Sequence, residues 1–542
     1  MINLKKENIR KVILAILFVL ILVVIALFIG RFTYSYLGPA PTDELKGTGE
    51  VTPSGDTIIF SKGNDLSLSA STDNFHTGSG NLTDTTNPQV RLIASSDTND
   101  ASTTYYAGIK IYENTYTYSS GTTAELILSV YDENGTLLEA SSDELSFVEV
   151  NGVKGFDITG LTGAYNIAID HPISTTSSTS GTTHTWTFTL TFVNLDTDQA
   201  INETANLDME VVLQKDAINM PSLADVCSSG ENLATCIQTL YNTYGEGYDG
   251  LYLHDGVGTY VNADQEAGDN GYRYSGANPN NYVCFGSTTT PCPTENLYRI
   301  IGVLNDNDEY QVKLIKSDYT TSAMLGTDGR DYYGSYVDAN GEPSYYKGNM
   351  IQSDIATYRW NYDTSVSKYG SNNWTTSEFN TINLNTNYWD YLGATWQNLI
   401  APTTWHLGGM TSSDNTAKAF YDGERNNAGY GSNPTTYTDE IGLMYPSDYG
   451  YAAYPDAWTT NLISYSNSSI TSNNWLYMGL FEWTISPSSS YSSYVFYVRH
   501  SGSLSRYSAY YGYSVRPVFY LNSNVEYAGG IGNESDPFTL VV

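Results

Sequence analysis

His184-Thr185-Trp186-Thr187-Phe188-Thr189-Leu190-Thr191-Phe192-Val193 is the stretch from which the fold class of this chain can be read. Large apolar residues stand at 186, 188, 190 and 192, and threonines at 185, 187, 189 and 191. A period of two sends successive side chains to opposite faces of a strand. Trp186, Phe188, Leu190 and Phe192 are therefore expected to face one core and the threonines to face away. Leu207, Met209, Val211 and Leu213 repeat the pattern, and the two segments are expected to pair. Full burial of four such side chains is worth on the order of 1.5–3 kcal/mol each before entropy.

Working outward, Thr57-Ile58-Ile59-Phe60 and residues 89–94, 105–112 and 124–131 read as further strands, with Gly, Asn and Asp between them. Short strands at this spacing point to a β-sandwich over residues 55–216. Within it, alternation turns Ile109 and Ile111 inward and Lys110 outward. Lys110 is then a solvated lysine rather than a partner in a Lys–Asn isopeptide crosslink.

Ahead of the sandwich lies a glycine- and proline-rich linker, residues 31–54, and ahead of that an uncharged run, residues 12–30. Nineteen residues at about 1.5 Å each span roughly 28 Å, enough to cross a hydrocarbon core. Lys5, Lys6, Arg10 and Lys11 against the single acid Glu7 hold the tail, residues 1–11, in the cytoplasm. The reading is a single-pass anchor in the cell membrane, with the bulk of the chain extracellular. The alternative is a cleaved leader, although a signal peptide's apolar stretch is usually shorter.

Composition narrows the partners. There are 24 Lys+Arg against 58 Asp+Glu, a net charge of −34. Such a surface repels phosphates, so no nucleic acid is expected. Tyr reaches 48 residues, 39 of them after position 216, so the chain divides into a Thr/Ser-rich front and a Tyr/Trp-rich back. The four cysteines are Cys227, Cys236, Cys284 and Cys292. In an extracellular chain the simplest pairing is Cys227 with Cys236 and Cys284 with Cys292, out of three formal connectivities. Disulfides are favoured over a metal site, since CxxC spacing is absent and no His lies close.

In the back half, residues 217–244 read as a connecting region. Its helix is expected over 231–244, with Leu233, Ile237, Leu240 and Tyr241 at helical spacing and Gly245 as the stop. Residues 297–304 and 309–315 make a hairpin around Asn305-Asp306-Asn307-Asp308. That acidic turn lacks the further carboxylates of a calcium loop and reads as a plain turn. A second short helix is expected from Ser377, with Phe379, Ile382 and Leu384 on one side. From Trp389 onward, short aromatic strands alternate with Ser/Asn/Gly turns, and little helix is expected.

Trp405-His406-Leu407-Gly408-Gly409, the run Ile441-Gly442-Leu443-Met444-Tyr445-Pro446-Ser447-Asp448-Tyr449-Gly450-Tyr451-Ala452, Trp483-Thr484-Ile485-Ser486-Pro487, and Tyr513-Ser514-Val515-Arg516-Pro517-Val518 with Tyr520-Leu521-Asn522-Ser523 occur in this order. Residues 245–542 thereby resemble a domain of unknown function common in surface proteins of gut Firmicutes and Tenericutes. That domain is similar to the C-type-lectin-like fold of sulfatase-modifying factors. The resemblance implies an α+β C-type-lectin-like head, making the whole chain mainly β. It does not imply an activity. Formylglycine-generating enzymes of this fold need a cysteine pair near the end of the domain, and the last cysteine here is Cys292. The Glu-Pro-Asn, Gln-Pro-Asp and Trp-Asn-Asp triplets of calcium-dependent lectins are absent. More weakly, Gly30-Arg31-Phe32-Thr33-Tyr34-Ser35-Tyr36 resembles the leader end of camelysin and TasA-type fibre proteins.

No catalytic constellation stands out. HExxH, paired His at i,i+4, GxSxG, P-loop and dinucleotide glycine patterns are all missing. His406 reads as a structural histidine, and His500 as either a surface or a ligand-contacting one. The carboxylates are too scattered to name a glycosidase pair. No enzyme, cofactor or metal is expected. What remains is surface chemistry: Ser-Ser-Ser-Tyr-Ser-Ser-Tyr at 488–494 and Arg-Tyr-Ser-Ala-Tyr-Tyr-Gly-Tyr at 506–513. Tyr, Ser and Gly with a few Arg are the composition of antibody paratopes. The ligand-binding candidates are Tyr491, Tyr494, Arg506, Tyr507, Tyr510, Tyr511 and Tyr513, facing a host or bacterial surface glycan or protein. Simple alternation would put Tyr511 and Tyr513 on one face and Tyr510 on the other. The function expected is an adhesin or ligand-binding module. The alternative is a structural subunit of a secreted fibre, released by leader cleavage.

Overall fold

The computed structural model describes residues 56–542 apart from 67, 69–71, 79, 98, 144, 258–264, 307–308, 338–343 and 366. The expected cytoplasmic tail, anchor and linker lie outside these residues, as do Asn307 and Asp308 of the acidic turn. Among the described residues no helix is long and apolar enough to cross a membrane. The chain is mainly β and divides into two compact units, one up to Met220 and one from Pro221.

The first unit carries eleven strands among its described residues: β1 (Thr57–Ser61), β2 (Leu82–Thr86), β3 (Gln89–Ile93), β4 (Ala101–Asn114), β5 (Leu126–Tyr131), β6 (Phe147–Val150), β7 (Val153–Asp157), β8 (Gly163–Thr175), β9 (Thr182–Thr185), β10 (Thr187–Phe192) and β11 (Leu207–Gln214). They form three antiparallel sheets, ordered β1-β3-β9, β2-β10-β5-β7-β6 and β11-β4-β8. One core fills the space between them, and Trp186, Phe188, Leu190 and Phe192 all lie in it, as their alternation requires.

Two features depart from the expected strand. The run is not continuous: β9 pairs with β3, while β10 pairs with β2 and β5. The chain changes sheets at Trp186, whose ring is fully buried and whose indole N–H donates to the Tyr105 hydroxyl at 2.7 Å. Nor do the two alternating segments pair. Both edges of β10 are taken by β2 and β5, and β11 lies instead along β4. β10 is thus an interior strand, and Thr191 and Val193, off the alternating apolar face, are buried too. Ile109 and Ile111 are fully buried, while Lys110 sits on the opposite face of β4 across from Glu210 of β11.

In the second unit the helix Leu233–Tyr244 starts on Asn232, whose side chain accepts from Thr235 N–H, and stops at Gly245 with φ of 90°. Its buried stripe includes Leu233, Ile237 and Leu240. The disulfides are Cys227–Cys236 and Cys284–Cys292. Closing loops this short stabilises by roughly 2–3 kcal/mol each. Leu297–Asp306 and Glu309–Lys316 form the expected hairpin at the centre of a seven-stranded sheet.

The second expected helix has a different form. Phe379–Tyr388 is a π-helix, and its buried residues include Phe379 with Leu384 and Asn383 with Tyr388, each five apart. Asparagines hold the wide turn in place: Asn385 exchanges two hydrogen bonds with the backbone of Ile441, and Asn383 donates to Leu325 O at 2.8 Å. The chain after Trp389 also holds more helix than expected, most notably Ala417–Asn426. It is capped by Thr416, which accepts from Ala419 N–H, and it buries Ala417, Phe420, Gly423 and Glu424. Gly423 inside the segment and only two large apolar residues, Phe420 and Tyr421, hide its period in the sequence.

A six-stranded sheet positions the candidate site. Its order is Tyr332–Ser335, Ala356–Arg359, Gly512–Ser514, Glu482–Pro487, Tyr494–Val498 and Leu504–Ser508. The closing Val515-Arg516-Pro517 phrase anchors it. Arg516 is buried and donates to both carboxylate oxygens of Glu482, at 2.7 and 3.0 Å, and to Leu476 O. Removing one partner of such a pair would strand the other charge in the core.

Candidate functional site

Tyr494–Val498 and Leu504–Ser508 form a hairpin at the edge of this sheet, with Tyr494 opposite Ser508 and Val495 opposite Tyr507. Val495 and Phe496, on opposite faces of their strand, are both fully buried, so the hairpin is packed on both sides. One side chain spans the loop before it. Buried Asn372 donates through Nδ2 to Ser488 O at 2.7 Å and Tyr491 O at 2.8 Å, and its backbone N–H donates to Ser492 O.

On this base the tyrosines form a continuous row. Ring centroids are 4.9 Å apart for Tyr491 and Tyr494, 6.2 Å for Tyr494 and Tyr507, 4.8 Å for Tyr507 and Tyr511, and 6.4 Å for Tyr511 and Tyr510. Tyr491, Tyr507 and Tyr511 are 50%, 40% and 39% exposed, large values for aromatic residues held so close together. The guanidinium of Arg506 lies 5.0 Å from the Tyr491 ring centre, within cation–π range, and donates to Thr411 O and Ser488 Oγ. The neighbouring Tyr507 hydroxyl raises the pKa of Tyr511.

Six of the seven candidates therefore join one row, and Tyr513 sits apart from it. Its ring packs on Trp483 at 4.4 Å, Tyr497 at 4.7 Å and Phe481 at 5.2 Å, and burial pushes its hydroxyl pKa up. Alternation does not sort these residues, because Tyr510 and Tyr511 occupy the turn between two strands rather than a strand.

The row continues into residues the sequence did not point to. Tyr362 lies 5.4 Å from Tyr510, and the Arg359 guanidinium stands 4.8–5.2 Å from the rings of Tyr333, Tyr362 and Tyr510. Tyr333 and Tyr369 are each 48% exposed. Gly512 makes room for this extension: a Cβ there would stand 2.2 Å from the Tyr333 ring. Pairing of Ala356–Arg359 with Gly512–Ser514 brings Arg359 beside the row, across more than 140 residues of sequence. Only the tyrosine-rich composition of the back half hinted at these contributors.

The two singled-out histidines lie elsewhere. His406 ends the strand Thr403–His406, and its backbone N–H donates to the Tyr445 hydroxyl. His500 packs against Tyr345 and Phe481. The row offers flat aromatic faces, hydroxyls and guanidinium edges: the chemistry of stacking and hydrogen bonding. Comparison finds no matching family model, no matching curated protein and no matching solved structure.

Proposed function

We propose that the second unit is a recognition head, and that the row Tyr491–Tyr494–Tyr507–Tyr511–Tyr510, flanked by Arg506 and Arg359, is its binding face for a surface glycan or protein. The observation that carries this reading is a contiguous set of tyrosines in ring contact, with Tyr491, Tyr507 and Tyr511 exposed, on and beside a hairpin of the sheet. Exposed aromatic surface is costly to leave in water, and large contiguous patches mark interaction sites. Tyrosine and arginine dominate binding energy at such sites because they bury much area for little entropy. In this reading the first unit is a β-sandwich stalk, the head is C-type-lectin-like, and the 12–30 run anchors the protein outside the cell as an adhesin.

The test is glycan-array and cell-binding comparison of the wild type with the Tyr507→Ala/Tyr511→Ala double variant. Each tyrosine is expected to contribute about 1–2 kcal/mol, so affinity should fall by at least about tenfold. A double variant that keeps its near-ultraviolet circular dichroism and binds as the wild type does would eliminate the face.

A further inference from the structure

We propose that Glu133, His171 and His184, on the first unit, form a binding site for a divalent transition-metal ion of the zinc class. The sequence reading placed no metal ligands here, because the three residues are scattered along it and match no ligand spacing. The fold gathers them. Glu133 lies in the turn after β5, His171 on β8 and His184 on β9. One ligand atom from each falls within 4.8 Å of the other two. His171 Nε2 and Glu133 Oε2 are already 2.9 Å apart.

Zinc binds imidazole nitrogen and carboxylate oxygen at about 2.0–2.2 Å, which sets ligand atoms about 3.3 Å apart around a tetrahedral ion. An ion can replace the proton shared by His171 and Glu133 with little movement, and His184 needs to close by no more than about 1.5 Å, the difference between 4.8 Å and about 3.3 Å. Two histidines and one carboxylate are a ligand set that zinc and iron proteins use, with further positions left open.

The surroundings fit a ligand site. The side chains of His171 and Glu133 are 22% and 19% exposed, so an ion has access from solvent while the rings are held from behind. His171 packs on Trp186 at 5.0 Å and on Tyr105 at 5.3 Å. The Tyr105 hydroxyl lies 3.0 Å from His184 Nδ1, the kind of outer hydrogen bond that orients an imidazole when its other nitrogen binds metal. Beside His171, β8 carries one extra residue relative to β4, and Asp170 takes a φ of +48°. Such a bulge re-aims the side chains around it. Among the described residues, the other cluster of suitable type, Cys227, Glu231 and Cys236, offers no thiolates because its sulfurs are bonded to each other.

The experiment uses the untagged full chain in detergent, with disulfides oxidised. It is titrated with Zn2+ against a chromogenic chelator, and separately with Co2+ to read the visible absorption of the bound ion. The wild type is expected to bind one ion per chain. His171→Asn, His184→Gln and Glu133→Gln should each weaken zinc by at least about 10- to 100-fold and abolish the tetrahedral cobalt bands. Glu133→Gln, in a turn, keeps the test valid should a histidine variant misfold, and circular dichroism reports on the fold. A wild type that takes up no zinc, or uptake unchanged in all three variants, would overturn the site and leave His171 and Glu133 as a hydrogen-bonded pair.

Discussion

Glu424 lies on the helix Ala417–Asn426 with its side chain closed to solvent. Ser447 donates to it through its backbone N–H at 3.1 Å and its hydroxyl at 2.5 Å, and Arg425 stands 3.6 Å away. Burial outweighs the opposing pull of Arg425 and Ser447, and pushes its pKa up to about 7. Asp249, half-buried, is pushed up to about 7, again by desolvation. A carboxyl whose pKa rises on folding holds its proton more tightly in the folded chain. Between about pH 4 and 7 the unfolded chain has lost a proton that the folded chain keeps, so stability falls as pH climbs through that window and levels off above it. Glu424→Gln removes this dependence at one site, and the Ser447 hydroxyl can turn to accept from the new amide. The variant is expected to gain stability over the wild type at pH 8 and to gain little at pH 4.5, measured by urea denaturation at both values.

At the scale of elements, one side chain spans the loop that begins the tyrosine row. Asn372 reaches three carbonyls of the 488–494 segment and accepts from Asn433 Nδ2 at 2.9 Å. Asn372→Ala leaves those carbonyls without their donor, at a cost of about 1–3 kcal/mol. It should also free Tyr491 and Tyr494 from register with Tyr507. Hydrogen exchange is expected to rise over residues 488–494 while the strand Glu482–Pro487 stays protected.

The same scale shows why parts of the fold were legible and others were not. Strict alternation marks a buried face, so the apolar side chains of β10 could be assigned to the core from sequence. Short cysteine spacing pointed to both disulfides. Pairing partners are set by which edges remain free, and nothing in residues 207–213 declares that β10 has none to offer. The sheet change at Trp186 is silent in a pattern that runs unbroken through it. A π-helix carries its apolar residues at five, a period close enough to four to pass for an α-helix at Phe379 and Leu384. Arg359 and Tyr362 joined the candidate face only through strand pairing. Glu133, His171 and His184 came together only through the closure of three separate elements.

For the molecule as a whole, a net charge of −34 spread over a surface poor in charged residues keeps copies apart and soluble. Such mutual repulsion suits a displayed monomer better than a fibre subunit, whose copies must pack. On the proposed surface display, protease added to intact cells that make this chain is expected to degrade it while cytoplasmic markers survive. A chain left whole on intact cells and cut only after lysis would refute surface display. High-order polymers lacking residues 12–30 would favour the fibre instead.

The crossing at Trp186 has a mechanical consequence. Because β9 belongs to one ladder and β10 to another, a single thread of backbone is sewn through both. Neither ladder can slide past this crossing without dragging the other. For the stalk role proposed above, that stitching would be a brake against being pulled open.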